Sequence, residues 1–341
     1  MRLDIPQRKP VAIVSVHDMC DTISGDMKMK ISENALNVLT ACEYRGIGKA
    51  WVNKNLRGGE SVQEIVNLIL DVDSSASVAD FEERKCCIER DILLLGDAVD
   101  GVTGIGDEDF PVVGHGVKNG DRPIALFYRG DVGLIKTPAD NVAVIGLLTP
   151  TEKIENAERN VVRRLVEGGK CIVSGLAHGC DSIAHRETLL CSGKTVAILS
   201  SPLNDVNPPS NRPLALEIVD KGGLLVSEYF RGVRSKREFI GRYAERDRLQ
   251  AMFSESVVLA ASYSQRDYGM DSGSRFAMGK AVEYGVSRFV IYDSVRDAND
   301  PMFNLSREAI AAGAVVLDSE GIDCGKLSAH HGRMDQQEFS F

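Results

Sequence analysis

The sequence predicts an α/β protein with a Rossmann-like, doubly wound, mainly parallel sheet and a small N-terminal helical module. From residue 141 to residue 317, short apolar runs alternate with helical patterns, which is the order expected of a parallel sheet. Glycine-rich turns follow two of these runs, as in sheets that bind ligands beyond the carboxyl ends of their strands. A chain of 341 residues also exceeds one ordinary core, so two domains are expected.

The predicted elements of the sheet region follow from hydrophobic periodicity. The apolar runs predict strands at 141–146, 171–175, 195–200, 223–227, 256–261, 287–292 and 314–317. Amphipathic patterns predict helices near 153–168, 181–191, 211–221, 236–252, 272–284 and 304–312.

The first 115 residues have a different pattern, with helical stretches at roughly 31–43, 59–72 and 79–96 and no strong series of strands. We therefore expect a SAM-like or helix-hairpin-helix-like module and lead-in over 1–115, the Rossmann-like core over 116–320 and a disordered tail over 321–341. Within the module, the G-x-G turn from Tyr44 to Lys49 either presents backbone amides to a phosphate or is an ordinary short turn.

Composition and charge limit the function classes. The apolar content of 43% and the charged content of 26% are those of a folded soluble protein. A net charge of −9 argues against coating nucleic acid through bulk charge. Eight scattered cysteines without a C-x-x-C pair indicate reduced thiols, and the apolar run 11–16 is too short to span a bilayer. We expect a cytoplasmic protein that has no membrane partner.

The stretch from Ser174 to Asp181 joins a predicted strand to a predicted helix through glycines. Such a junction directs backbone N–H groups and the positive end of a helix at one point, which suits a phosphate. Ser174, Gly175 and Gly179 are therefore candidate phosphate-binding residues, with Asp181 as the helix cap. The alternative is a tight turn that holds no ligand.

A basic segment from Arg231 to Arg248 has seven cationic and three acidic residues, a net charge of +4 inside an acidic chain. Arg242 and Arg246 are spaced to share a helix face, Arg248 lies close by, and arginine grips phosphate in a bidentate manner. An exposed Tyr243 would stack a base, worth about 1–3 kcal/mol. The alternative is a solvated helix in which Tyr243 packs inward and Arg248 pairs with a neighbouring carboxylate.

A second glycine turn, Ser272-Gly273-Ser274, precedes another predicted helix. Gly273 and Ser274 are candidates for a second amide nest, and a plain helix cap is the alternative. The two histidines near the first turn, His178 and His185, do not have a metal-ligand spacing. No catalytic set, metal site or P-loop is recognisable, so we expect binding rather than bond-making and no cofactor.

Several motifs, in order, resemble the DNA-processing protein A (DprA/Smf) family. They are Asp107 to Pro111, Leu126 to Gly130, Val142 to Gly146, Ser174 to Asp181, Asn207 to Asn211, Val226 to Glu228, Arg246 to Arg248, Ser272 to Ser274 and Ala309 to Ala314. The chain departs from the family pattern at Leu147-Leu148, where Ser-Arg is usual, and at Ser210, Ala277 and Arg307.

The resemblance implies a single-stranded DNA-binding protein that protects the strand and loads a RecA-type recombinase, as in natural transformation. It also implies a homodimer. The implied strand path runs along Ser174 to Gly179, Arg242 to Arg248 and Gly273-Ser274. A nucleotide-binding sensor or N-glycosidase on the same scaffold is the alternative. Salt dependence separates the two, because only a strand with several phosphates loses affinity steeply with salt.

Overall fold

A single ten-stranded sheet organises the chain in the computed structural model, which describes residues 29–114, 116–267 and 273–317. The strand order across the sheet is β1-β2-β3-β7-β6-β5-β4-β8-β9-β10. In chain order the strands are β1 Lys30–Ile31, β2 Gly101–Gly104, β3 Ala125–Gly130, β4 Asn141–Ile145, β5 Cys171–Ser174, β6 Thr195–Leu199, β7 Leu224–Ser227, β8 Ser256–Leu259, β9 Ser287–Ile291 and β10 Val315–Leu317.

The predicted mainly parallel sheet is confirmed. Strands β4 to β10 pair in parallel throughout, and among the described strands only β3 runs antiparallel to its neighbours β2 and β7. From β4 the chain builds outward through β5, β6 and β7, and then returns to the other side of β4 to form β8. The strand order therefore reverses between β4 and β8, and a crevice opens at such a switch point at the carboxyl ends of the strands.

The helices of the core agree with the predicted ones to within one or two residues. They are α5 Glu152–Glu167, α6 Cys180–Leu190, α7 Arg212–Asp220, α8 Lys236–Met252, α9 Ser274–Tyr284 and α10 Asn304–Ala311. Their N-termini explain the agreement: Thr151 caps α5 and Ser235 caps α8, each accepting a backbone N–H bond through its side chain.

The N-terminal region contains four helices, α1 Glu33–Ala41, α2 Lys49–Asn55, α3 Val62–Leu70 and α4 Val78–Leu93. Helix α2 and the strands β1, β2 and β3 were not among the predicted elements. Strand β2 pairs with β3 beyond residue 115, and the helices share one hydrophobic cluster with the core, in which Phe81 and Phe127 are both fully buried. The module is therefore continuous with the sheet. The division of the chain at residue 115 remains a prediction.

Two of the three missed strands, β1 and β2, lack the alternating or apolar pattern by which a strand is predicted. Strand β1 is two residues long, and β2 reads Gly-Val-Thr-Gly. Gly104 is required there because a Cβ atom would lie 2.6 Å from the backbone of Ala35 in α1. Close packing of α1 on the sheet thus selects a residue of low strand propensity.

No helix in the described ranges is both long enough and apolar enough to cross a bilayer. The predicted disordered tail at 321–341 and the candidate turn residue Ser272 lie outside the described residues.

Candidate nucleic-acid interface

Four separately predicted motifs meet at the carboxyl edge of the sheet, at the switch point between β4 and β8. Ser274, at the start of α9, donates its hydroxyl to the carbonyl of Gly146 after β4 (3.1 Å). Arg246 on α8 donates to the carboxylate of Asp181 on α6 (3.3 Å). A Cβ atom on Gly273 would lie 2.5 Å from the carboxylate of Asp247. The glycine turns and the arginine motif therefore form one continuous structure.

The loop 175–179 between β5 and α6 has an unusual backbone. Leu176 has φ 59° and Gly179 has φ 70°, both in the region that favours glycine. A Cβ atom on Gly179 would lie 2.2 Å from the carbonyl oxygen of Leu147, and the amide of Cys180 donates to that same oxygen (3.0 Å). Gly179 is therefore required for the close approach of the loops that follow β4 and β5.

The carbonyls of this loop face the protein interior. The side-chain amide of Asn211 donates to the carbonyls of Leu176 (2.9 Å) and Ala177 (3.1 Å), and Ser182 also donates to Ala177. Because a trans peptide holds its N–H opposite its C=O, the amide of His178 points away from Asn211. His178 is exposed and lies just before α6, where a helix N-terminus favours an anion.

Two of the predicted phosphate ligands have internal roles in the structure. Ser174 is fully buried and donates its hydroxyl to the carbonyl of Val144 (2.7 Å). Gly175 is buried against Arg246, because a Cβ atom at this position would lie 0.8 Å from a guanidinium nitrogen. These residues join strands and make room for an arginine below the loop surface.

The three predicted phosphate-binding arginines of α8 are buried, with only 8%, 5% and 2% of Arg242, Arg246 and Arg248 exposed. Arg248 forms a bidentate pair with Glu228 (2.7 Å for each bond), and Arg242 pairs with Glu238 (2.7 Å). Burial opposes the charge of Arg248, but Glu228 holds its pKa above the usual value. The expected exposed arginine face is therefore not what the structure contains.

The sequence could not show that these arginines are buried. Buried guanidinium groups need carboxylate partners, and for Arg246 and Arg248 these come from distant parts of the chain. Asp181 lies 65 residues from Arg246, and Glu228 lies 20 residues from Arg248. The sequence alternative of an internally paired Arg248 was closer to the structure, although its bidentate partner is Glu228.

The exposed cations of the basic segment lie on an arm that we define as residues 231–243, the loop after β7 with the first turns of α8. Arg234, Lys236 and Arg237 are exposed, and the last two form no ion pair with any described residue. Cations in the first turn of a helix oppose its dipole, so stability does not explain Lys236 and Arg237. This unfavourable placement is the sequence signal that could have identified Lys236 and Arg237 as candidate phosphate-binding residues.

Aromatic side chains accompany these cations. Phe239 is 40% exposed and packs edge-on against the half-buried Tyr243, with ring centroids 5.1 Å apart. Arg246 lies 5.8 Å from the centre of the Tyr243 ring. At the base of the arm, Tyr229 and Arg242 line a cavity of about 370 Å³ that opens beside Arg231 and Arg234.

His185, in α6 after the first glycine turn, has a structural environment and not that of a metal ligand. His185 is fully buried, its Nδ1 lies 2.7 Å from the hydroxyl of Thr195, and burial lowers its pKa to about 4. Within the described ranges, no group of three or more His, Cys, Asp or Glu residues is placed to hold a metal ion.

Comparison with known proteins identifies the family. The family model described as DNA recombination-mediator protein A matches residues 101–322, which is more than half of the chain. The chain belongs to the DNA recombination-mediator protein A family. The predicted DprA/Smf resemblance is thereby confirmed.

The matches to relatives of this family member cover different shares of the relatives' own length. The DNA processing protein DprA of Streptococcus pneumoniae is 32% identical over 201 residues, which is 58% of this chain and 67% of that protein. The Smf proteins of Synechocystis and Escherichia coli are each 34% identical, over 40% and 32% of this chain. The matches span only 34% and 29% of those two Smf proteins.

Two solved structures share the fold of this DNA recombination-mediator protein A family member. That of DNA processing protein A from S. pneumoniae has a TM-score of 0.64 at 24% identity and covers 92% of this chain and 100% of that one. The Helicobacter pylori protein, described for its single-stranded DNA binding mode, has a TM-score of 0.53 at 24% identity. It covers 68% of this chain and 96% of its own.

One departure from the family pattern lies directly at the crevice. The resemblance leads us to expect Ser-Arg after Gly146, and Leu147-Leu148 stand there instead. Leu147 is buried, whereas Leu148 is 53% exposed beside the loop 175–179. In this DNA recombination-mediator protein A family member, the edge at β4 therefore presents an apolar side chain instead of a cation.

Proposed function

We propose that this protein binds single-stranded DNA along the carboxyl edge of the sheet. The observation that carries the proposal is the convergence of the family's motif loops at the switch point, beside Lys236 and Arg237, which no described carboxylate neutralises. The family assignment and the two related solved structures support a DNA-handling role. The net charge of −9 is compatible with it because the exposed cations Arg234, Lys236 and Arg237 form a local basic patch on the arm.

The proposed contacts divide into phosphate and base groups. The backbone amide of His178 and the cations Arg234, Lys236 and Arg237 would hold phosphates. Phe239 and Tyr243 would stack bases, which is a sequence-tolerant interaction. Gly179 and Gly273 would support this surface from below, because they let the loop after β4 and the carboxylate of Asp247 approach closely.

The buried members of the predicted site take a supporting role in this proposal. They hold the loops and α8 in position from below, and they are Ser174, Gly175, Arg242, Arg246, Arg248 and Ser274. A strand that contacts the surface above them then binds a preorganised edge, which lowers the entropy lost on binding.

The wider role rests on the family. We propose that the protein protects the bound strand, that it transfers the strand to a RecA-type recombinase in the cytoplasm, and that it acts as a homodimer. The family description as a recombination mediator supports the recombinase step.

The test is fluorescence anisotropy of a labelled single strand of about 20 nucleotides across a salt series, because each phosphate contact adds about 0.7 to the slope of log affinity against log salt for single strands. We expect Arg234→Ala/Lys236→Ala/Arg237→Ala to lower this slope by about 2 and to weaken binding at low salt. The matched control, Arg45→Ala/Lys54→Ala/Lys221→Ala, removes three exposed cations elsewhere and should keep the wild-type slope.

The outcomes discriminate between functions. Steep salt dependence that the arm variant reduces supports strand binding at this edge. An absence of binding at low salt refutes it. Salt-insensitive binding of a mononucleotide would instead support the nucleotide-sensor or N-glycosidase alternative.

A further inference from the structure

The N-terminal module contacts the base of the arm through an ion-pair cluster. Arg231 donates its Nε–H to Oδ2 of Asp91 on α4 (2.9 Å), and Nη2 lies 2.8 Å from the same oxygen. Its Nη1 donates to Glu43, which follows α1 (2.7 Å). Charge-assisted contacts to two carboxylates fix the orientation of a guanidinium group as well as its position. All three side chains are partly exposed, at 33–40%, so the cluster lies at the rim of the cavity below the arm.

A second cluster joins the module to α8 itself. Lys49, the first residue of α2, pairs with Glu245 on α8 and lies 3.7 Å from a carboxylate oxygen of Glu228. Glu228 in turn holds Arg248. The G-x-G turn of the module, considered above as a phosphate contact, therefore places a lysine against the core.

Internal contacts fix the same segment from the opposite side. Arg242 donates to the carbonyls of Arg231 (2.9 Å) and Gly232 (3.4 Å), and its guanidinium lies 4.1 Å from the centre of the Tyr229 ring. The base of the arm is thus held between α8 and the module. The cations beyond this point, Lys236 and Arg237, remain exposed.

We propose that Glu43 and Asp91 of the N-terminal module are positioning residues that hold the arm, through Arg231, in the conformation that binds a single strand. This inference rests on the proposed function for its consequence in binding, but the positioning itself is a property of the free protein. Two carboxylates near a polyanion repel it. The positioning role predicts the opposite for Glu43 and Asp91, which should increase the affinity of the protein for a single strand.

The test is the variant Glu43→Gln/Asp91→Asn, which removes both charges without substituting any residue of the arm. General electrostatics predicts tighter binding of a polyanion when two negative charges are lost. Positioning predicts weaker binding, by about fivefold, because a loosened arm must be ordered when the strand binds. The matched control is Glu82→Gln/Glu89→Gln, which removes two exposed acidic charges from the same helix, α4.

Hydrogen exchange of the free protein gives the second readout. We expect amides of residues 229–240 to exchange faster in Glu43→Gln/Asp91→Asn and to stay at the wild-type rate in the control. Unchanged exchange there, or tighter strand binding by the variant, would overturn the proposal. If the wild type fails to bind DNA, the proposed function fails, and the exchange rates of the arm still decide whether the module positions it.

Discussion

Arg248 forms a buried ion pair with Glu228, and the variant Arg248→Met tests whether this pair stabilises the fold. The Arg248 side chain is only 3% exposed, and its guanidinium group makes two bonds of 2.7 Å to Glu228, whose side chain is 7% exposed. Removing one partner of such a pair leaves a buried carboxylate without its main counter-charge. Breaking a buried pair in this way costs about 3–5 kcal/mol.

The remaining environment sets where in that range the loss should lie. Lys49 stays 3.7 Å from Glu228 and partly compensates its charge. We therefore expect the free energy of unfolding to fall by about 3 kcal/mol, which a domain of ordinary stability tolerates while staying folded. The double variant Glu228→Gln/Arg248→Met removes the orphaned charge, so it should recover most of the loss.

Urea unfolding followed by circular dichroism measures these differences, with strand affinity measured in parallel on the folded proteins. A loss of stability that the double variant restores would confirm a structural pair. If Arg248→Met lost less than about 1 kcal/mol of stability but bound a single strand tenfold more weakly, the reasoning would be wrong. Arg248 would then reach the DNA, as its place in the sequence motif suggested.

Three further predictions concern Gly179, Asn211 and His185. Gly179→Ala should lower the melting temperature more than Gly59→Ala does, because both glycines have positive φ but only Gly179 would bring a Cβ atom within 2.2 Å of another backbone; equal losses in thermal unfolding would contradict the close-approach argument. Asn211→Ala should cost about 1–3 kcal/mol and speed amide exchange across the loop, because it leaves the carbonyl of Leu176 without its side-chain donor and the carbonyl of Ala177 with Ser182 alone. Burial lowers the pKa of His185 to about 4, whereas the same side chain in the unfolded protein titrates near 6.5. Between these two pH values the unfolded state binds a proton that the folded state does not, so the free energy of unfolding should fall as the pH is lowered from about 6.5 to about 4. Urea midpoints measured at pH 7, 5.5 and 4.5 should therefore vary less in His185→Gln than in the wild type, and an unchanged pH profile would exclude His185 as the titrating group.

The core was predictable because its signals are local. Each central strand is a short apolar run, and helices such as α5 and α8 begin at a capping residue that is visible in the sequence, Thr151 and Ser235. The parallel order followed from the alternation of these elements, since parallel strands require a crossover connection. The glycine turns were placed at the correct edge for the same reason.

The candidate site was predictable in its location and not in its chemistry. Gly175 was interpreted as a close approach to phosphate, and the structure shows a close approach to Arg246 instead. Both interpretations require glycine, so the residue type could not distinguish them. Likewise, an arginine on a helix looks the same in the sequence whether its partner is a DNA phosphate or a carboxylate of the same chain.

The sequence by itself therefore determined the doubly wound sheet, its main helices and the edge at which the motifs meet, because hydrophobic period, caps and glycine turns act over a few neighbouring residues. Only the tertiary structure decided that β1 and β2 extend the sheet, that Arg246 and Arg248 are buried, and that the module contacts Arg231. Those features depend on residues brought together from distant positions, such as Asp91 and Arg231, which are 140 residues apart. Burial and charge pairing are properties of such long-range contacts, and no local pattern records them.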